Sequence, residues 1–364
     1  MAIDLAESGR GRTNPNPMVG AVVVKNGRVI GEGYHPGAGD SHAETYALKQ
    51  AGARSKGATL YVTLEPCCHF GRTGPCTETI IRSGIANVVI GAIDPNPLVS
   101  GKGIEALKKA GVTVTLSESE RIPRQNEVYF KYITTRQPFT LLKIAISLDG
   151  KIAAPVGART NLTGAKAQLE VHRLRNEYEA IMVGVDTVIA DNPALNCRLE
   201  GPDIRQPLRI VLDSTGRLSS ESRIVQTARE RPVILATTDR IAKTKARELT
   251  SQGVEILVCG TNNEGRVDIA DLKHRLGERE IASLIVESGA GLSVEMLAKG
   301  LVDKMILFYA PVFIGDEDSL SITAGARPLA QRWRTSECNL LGEDVMIELY
   351  PPESAPGVAG KEGS

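Results

Sequence analysis

The stretch from Thr63 to Cys76, TLEPCCHFGRTGPC, holds three of the chain's six cysteines and one of its five histidines. Thiols and an imidazole gathered this closely have three uses: a disulfide, a closed structural metal site, or one wall of an active site. Upstream, His42-Ala43-Glu44 opens a helical pattern, SHAETYALKQAG, that closes on Gly52. The plain reading of that triplet is a capping box, with Ser41 as the cap and Glu44 three residues on.

Taken together the two segments say more. A His-x-Glu ahead of a Pro-Cys…Cys is the signature of zinc deaminases. Three protein ligands leave the fourth tetrahedral position of zinc open for water. Zinc lowers the pKa of that water to near neutrality, and a carboxylate that is not a ligand carries protons to the leaving ammonia. In this scheme His42 is the nitrogen ligand, Cys67 and Cys76 are the sulfur ligands and Glu44 is the proton carrier. A loop containing Gly71 and Gly74 lets the two separated thiolates meet one ion. Cys68 directly follows Cys67, and adjacent side chains usually diverge. His69 as a fourth protein ligand would close the site to water. A closed structural zinc site is the alternative, and it leaves Glu44 without a chemical task.

The elements that must hold these residues follow from periodicity. MVGAVVVKNGRVIGEGYH reads as a strand, a turn at Asn26-Gly27 and a returning strand. ATLYVTLEPC is a buried strand, and PCTETIIRSG a helix with Pro75 near its start and Gly84 past its end. NVVIGAID, GKGIEALKKAG and VTVTL continue as strand, helix and strand, giving an α/β layered domain. From Ser117 to Pro138 the pattern is polar and irregular, and the domain boundary is placed near its end. A second alternating unit follows, with strands in FTLLKIAISLDGKIA, AIMVGV, LRIVLDS, PVILATT, VEILVCG, SLIVESG and KMILFYAPVFIG. Helices are expected in AKAQLEVHRLRNEY and LSVEMLAKGL. The expected division is 1–138, 139–350 and a disordered Pro/Gly/Ser-rich tail over 351–364.

Composition limits the functional classes. Lys+Arg and Asp+Glu are equal at 43 each, which argues against a chain built mainly to hold nucleic acid. No run approaches the roughly 18 apolar residues of a membrane span. The opening MAIDLAESGRGRTNPNP lacks the apolar core of a secretory signal. A cytoplasmic protein is expected, with neither nucleic acid nor membrane as partner. Cys197, Cys259 and Cys338 then read as reduced, mostly buried thiols.

TNPNPMVGAVVVKNGRVIGEGYH, HAE and TLEPCCHFGRTGPC together resemble the deaminase half of the RibD family of bifunctional riboflavin-biosynthesis enzymes. The usual family pattern is PNPxVGAVxV…HAE…TLEPCxHxGRTPPC, and its glycine-arginine-threonine insert is far more specific than the general deaminase signature. The resemblance implies zinc on His42, Cys67 and Cys76, with Glu44 as the proton carrier. Cys68 falls where the family usually has Ser and is not expected to be a ligand. KIAISLDGKIA, VGVDTVIADNPALNCRL, RIVLDSTGRL and IVESGAGL resemble, in order, the family's reductase half. The implied architecture is a cytidine-deaminase-like three-layer α/β domain followed by a dihydrofolate-reductase-like α/β domain. The implied reactions act on a phosphoribosylated pyrimidine: hydrolytic deamination of a diaminopyrimidine, then NADPH-dependent reduction of its ribose to ribitol.

Carried over position by position, the implied NADPH contacts are Ala145, Asn161, Thr187, Asp191, Ser214, Gly289, Ala290, Gly291, Leu292 and Ser293. The implied substrate contacts are Arg159, Arg175, Leu195, Arg198 and Glu287. Read from the residues alone, Arg175 suits a solvated helix face equally well, and a lone glycine turn such as ESGAGLS is more often an ordinary strand-to-helix turn. Two departures stand out. Arg159 and Asn161, in VGARTNLT, occupy places where the family commonly has Ser and Trp. The glycine turn reads Ser-Gly-Ala-Gly where Gly-Gly-Pro is usual. They point to the alternative of a deaminase for another nucleoside or nucleotide joined to an impaired reductase. A homo-oligomer, dimer or tetramer, completes the expectation.

Overall fold

The structure is a computed structural model that describes residues 1–69, 74–117, 119–153, 162–315, 319–321 and 332–352. The chain divides into two compact units between Arg136 and Gln137. Arg159, Asn161 and the tail from 353 onward lie outside the described residues.

The first unit runs α1 (Ala2–Ala6), β1 (Gly20–Lys25), β2 (Arg28–Tyr34), α2 (Ala43–Ala51), β3 (Thr59–Val62), α3 (Cys76–Arg82), β4 (Asn87–Ile90), α4 (Lys102–Lys109), β5 (Thr113–Leu116), α5 (Arg121–Gln125) and α6 (Glu127–Thr135). Its sheet has the order β2-β1-β3-β4-β5. β1 is antiparallel to β2 and β3, whereas β3, β4 and β5 are parallel. Asn26 and Gly27 both take positive φ, 50° and 72°, the geometry that a two-residue hairpin turn requires. Ala21, Val23, Ala43, Ala47, Leu60, Ile80, Val88 and Leu107 form the buried core.

Close packing fixes α2 on the hairpin. A Cβ on Gly31 would lie 2.1 Å from the Ala47 carbonyl, and one on Gly33 would lie 2.7 Å from that of Ala43. On β1, a Cβ on Gly20 would meet the Ala2 carbonyl at 2.0 Å. Gly31 pairs with Val23 and Gly33 with Ala21, so they share a sheet face that alternates with the face of Gly20. α1 and α2 therefore cover opposite faces.

Two expectations are corrected here. Ser41 does not cap α2: His42 is the N-cap residue and makes no side-chain capping bond. The segment expected to be irregular, 117–138, contains α5 and α6. Its polar residues are consumed internally. Asn126 accepts from the Met18 N–H at 2.7 Å and donates to the Met18 carbonyl at 3.0 Å. Gln125 donates to the Ile3 carbonyl at 2.9 Å, and Tyr129 and Tyr132 are buried one turn apart.

The second unit runs β6 (Phe139–Ile146), β7 (Lys151–Ala153), α7 (Ala165–Glu177), β8 (Ala180–Gly184), α8 (Val185–Asp191), β9 (Leu208–Leu212), α9 (Arg223–Gln226), β10 (Val233–Thr237), α10 (Lys243–Ser251), β11 (Val254–Val258), α11 (Ile269–Glu278), β12 (Ser283–Val286), α12 (Ala290–Ala298), β13 (Lys304–Tyr309), β14 (Leu320–Ser321), β15 (Arg334–Leu341) and β16 (Asp344–Tyr350). Nine strands order as β11-β10-β9-β8-β12-β6-β13-β16-β15. All pairs from β11 to β13 are parallel, and β16 and β15 add antiparallel strands. Most of the apolar runs read as strands lie in this sheet and are buried on both faces, the edge strand β11 being half exposed and β7 pairing separately with β14; Leu142, Met182, Ile210, Ile234, Leu284 and Val286 are core residues. β15 and β16 were not expected: β15 is largely exposed and polar, whereas β16, DVMIELY, carries a short apolar run at Val345, Met346 and Ile347 that was passed over. Cys197 and Cys259 are buried as expected. Cys338 is exposed, because it lies on the outermost strand β15.

Candidate active sites

In the first unit, the start of α2 and the start of α3 bring the predicted residues together. His42 is in extended conformation just before α2, and Glu44 is in the first turn. Cys76 is the first residue of α3, after Pro75 at the N-cap. The Cys76 backbone N–H points at Cys67 Sγ at 3.3 Å, and the Thr77 N–H donates to the Cys67 carbonyl at 3.2 Å. The opening of α3 thus holds Cys67 as well as presenting Cys76.

His42 Nδ1 lies 3.1 Å from Cys76 Sγ and 3.5 Å from Cys67 Sγ, and all three ligand atoms fall within 4.8 Å of one another. Ligands of a tetrahedral zinc with bonds of about 2.0–2.3 Å are separated by roughly 3.5 Å, so the arrangement fits one such ion. Hydrogen bonding from the Cys76 thiol and from His42 pulls Cys67 down to about 4, while the neighbouring Cys67 sulfur and burial push Cys76 up. The two sulfurs compete for one proton, and a cation between them would remove that conflict. His42 is raised, chiefly by its bond to Cys67.

Glu44 is buried, 3 % exposed, and burial raises its pKa. Its Oε2 has no hydrogen-bond partner among the described residues. An unsatisfied buried oxygen is costly, so its persistence beside the ligand cluster points to a role toward a bound molecule. Cys68 and His69 do not join the cluster. Cys68 Sγ is directed toward the Leu98 carbonyl, 3.9 Å away.

The sequence reading missed the supports. Glu65, two residues before Cys67, is buried and accepts from the backbone N–H groups of Asp94 (3.4 Å), Gly101 (3.0 Å) and Ile104 (3.1 Å). Asp94 accepts from the Tyr129 hydroxyl at 2.8 Å, and burial pushes its carboxyl up to about 6. The ring of His35 stands edge-on to His42 with centroids 5.5 Å apart. Only the acids within LEPC and IDPNP signalled these supports, and nothing in the sequence paired them.

In the second unit the predicted cofactor residues gather at the carboxyl ends of four adjacent parallel strands, ordered β9-β8-β12-β6. Ser214 follows β9, Thr187 and Asp191 lie on α8 after β8, Gly289 to Ser293 open α12 after β12, and Ala145 is near the end of β6. Ligands of open α/β sheets lodge at this edge. A Cβ added to Gly289 or Gly291 would meet nothing within 4 Å, leaving open space before the N-terminus of α12. Backbone N–H groups and the helix dipole suit a phosphate there. Ser214 is fixed by the Thr238 hydroxyl on its carbonyl (2.7 Å) and by the Val267 N–H on its Oγ (3.1 Å). These residues fit a dinucleotide.

Arg175 and Glu287, both expected to touch substrate, are joined to each other. Arg175 Nε donates to Glu287 Oε1 at 2.7 Å and Nη2 to Oε2 at 2.8 Å. Its Nη1 donates to the Asn196 carbonyl at 3.0 Å. Arg175 is thus not on a solvated face. Lys143, which the sequence reading passed over, completes the group, with Nζ 3.8 Å from Glu287 Oε2. A lone lysine in the apolar run LLKIAI was the available signal. Burial alone would raise Glu287, yet Arg175 and Lys143 hold it at about 2. Leu195 is buried with φ +48°, a rare conformation for so bulky a residue. Arg198, three residues on, bonds His172 of α7 through its guanidinium Nε at 3.0 Å.

Comparison with known proteins matches each unit to a family model. Residues 1–92 match the cytidine and deoxycytidylate deaminase zinc-binding region, and residues 138–347 match the RibD C-terminal domain. A riboflavin biosynthesis protein RibD from Actinobacillus pleuropneumoniae is 43% identical over 352 residues, covering 95% of this chain and 93% of that protein. The solved RibD of Acinetobacter baumannii is 37% identical with a TM-score of 0.85, over 96% of both chains. A Thermotoga maritima structure matches at 37% identity and a TM-score of 0.83, again over 96% of both chains; that protein is a diaminohydroxyphosphoribosylaminopyrimidine deaminase and 5-amino-6-(5-phosphoribosylamino)uracil reductase. With a zinc-deaminase unit, a reductase unit and likeness along nearly the whole length, this chain belongs to the RibD family of bifunctional riboflavin biosynthesis enzymes.

Proposed function

We propose that the first unit deaminates 2,5-diamino-6-(5-phosphoribosylamino)pyrimidin-4-one to 5-amino-6-(5-phosphoribosylamino)uracil, and that the second reduces the ribosyl chain of that product to ribitol. The reading assigns residues 1–138 to the first reaction and 139–350 to the second. The observation that carries it is the His42, Cys67 and Cys76 cluster beside Glu44, whose buried Oε2 has no hydrogen-bond partner among the described residues.

His42, Cys67 and Cys76 would hold zinc, which supplies Lewis acidity that makes water nucleophilic near neutral pH. Glu44 takes a proton from the attacking water on Oε2 and delivers it to the departing amine, which leaves as ammonia while the water's oxygen stays on the ring carbon. Its burial favours the protonated form, so the carboxyl can hold that proton between the two transfers. In the second unit NADPH would supply hydride, and the protein would hold nicotinamide and sugar in register. Ala145, Thr187, Asp191, Ser214 and Gly289 to Ser293 would hold the cofactor. Arg175, Leu195, Arg198 and Glu287 face the substrate, with Arg198 on its phosphate. Six unpaired cysteines support placement in the reducing cytoplasm. The exposed Leu148, Val312 and Phe313, on loops joined by the bond from Leu148 N–H to the Val312 carbonyl, support a homo-oligomer, which sedimentation would test.

The deciding experiment follows ammonia release from the diaminopyrimidine phosphate with and without NADPH, and identifies the products by mass. Ammonia should appear in both cases, and the ribitol product only with NADPH. Absence of ammonia overturns the deaminase assignment. Arg159 and Asn161 favour a second reading, a working deaminase with an impaired reductase, for which ammonia appears and the ribitol product does not.

A further inference from the structure

His172 lies on α7 one turn before Arg175 and is 9 % exposed. Both of its ring nitrogens face N–H groups of the same residue. Arg198 Nε is 3.0 Å from His172 Nε2, and the Arg198 backbone N is 3.3 Å from Nδ1. A neutral imidazole has one lone pair to offer, and an imidazolium has none. The shorter contact assigns the lone pair to Nε2 and the proton to Nδ1. That bond occupies the guanidinium at Nε and orients its Nη1–Nη2 edge, the edge that matches two phosphate oxygens.

The surroundings oppose a charge on the ring. Arg175 and Arg198 face it with positive charge, and Glu287 faces it with negative charge but is already clamped by Arg175. The Asn196 carbonyl, which accepts from Arg175, favours a proton on the ring but is outweighed, while the Cys197 thiol donates to the His172 carbonyl and not to the imidazole. Burial is the largest influence and lowers the ring's pKa from the ordinary histidine value.

We propose that neutral His172 is a positioning residue that aims Arg198 at the substrate phosphate, so that acidification weakens substrate binding by the reductase but not by the deaminase. The proposal rests on the reading that Arg198 holds that phosphate.

The test uses the full-length enzyme, supplied with the deaminated substrate and NADPH. His172→Phe fills the space without an acceptor and should raise the reductase KM roughly tenfold, the scale of one hydrogen bond to a charged group, with a smaller change in kcat. His172→Gln offers an amide oxygen and should restore much of the loss. The ratio of wild-type to His172→Gln KM should climb as pH falls from the ordinary histidine value of about 6.5 toward the lowered pKa of the buried ring, because the ring titrates and the amide does not. Taking the ratio cancels the titration of the substrate's own phosphate. Ring 15N shifts of wild-type protein at pH 7 should show His172 protonated on Nδ1. An unchanged KM in a folded His172→Phe enzyme, a ratio flat with pH, or a ring protonated on Nε2 overturns the proposal. Arg198→Ala separates the two layers. If it leaves KM unchanged, the phosphate reading is wrong. If it raises KM and His172→Phe does not, the positioning role alone is wrong.

Discussion

At Glu44 a single oxygen separates a structural carboxylate from a working one. Glu44→Gln keeps the shape and removes the ability to cycle a proton. It should retain zinc and lose about 10²- to 10⁴-fold in ammonia release, while NADPH-dependent reduction of supplied deaminated substrate is unchanged. Metal analysis sorts the sulfurs: Cys67→Ser and Cys76→Ser should each lower zinc content, and Cys68→Ser should not, since its Sγ is directed away toward Leu98. Glu287 gives a stability prediction. Its pKa falls from the ordinary 4.5 to about 2 in the fold, so its contribution is complete above about 4.5 and is lost as pH drops toward 2. Glu287→Gln also strands Arg175 and Lys143. The second unit should lose about 3–5 kcal/mol at neutral pH, and the deficit in urea midpoint should shrink by pH 3. The gathering of His42, Cys67 and Cys76 was legible because the chemistry dictates the ligand types, whatever the distance between them in the chain. Lys143 and His172 were not, because each owes its contact to a residue far off in sequence, Glu287 and Arg198.

At the scale of elements, α2 carries His42 and Glu44 only as accurately as the hairpin seats it. Gly31→Ala would drive a methyl into the Ala47 carbonyl, where the backbone cannot yield without lifting the helix. Overpacking of this kind costs about 1–3 kcal/mol. Deaminase activity and zinc affinity should both fall while reductase activity holds, and zinc titration alongside the two assays checks it. The parallel strands were readable because burial on two faces demands an unbroken apolar run. The same logic hid β15, whose exposed side chains leave no such run; β16 carries one at Val345, Met346 and Ile347, too short to stand out before the Pro-rich tail. α5 and α6 were hidden differently. Gln125 and Asn126 look like loop residues until their bonds to Ile3 and Met18 appear. The Ser41 capping box failed because His42 occupies the cap position.

Across the whole molecule, two compact units hold two chemistries with separate requirements. Dialysis against a strong chelator should abolish ammonia release and leave reduction of the deaminated substrate intact, and adding zinc back should restore the first activity. Loss of both would show that the metal supports the fold of the second unit. The cluster at the second site has one more consequence. Among the described residues, Lys143 and Arg175 both contact Glu287 and Arg198 bonds His172 one turn before Arg175, an excess of positive charge that a phosphate dianion would balance. On the proposed reading such a charge excess would draw its ligand through solution before any contact is made, and mobile ions would blunt the pull within a Debye length of about 8 Å at physiological ionic strength. The capture rate of the second substrate should then fall as the salt content of its surroundings rises, and small dianions such as sulfate should compete for the same place.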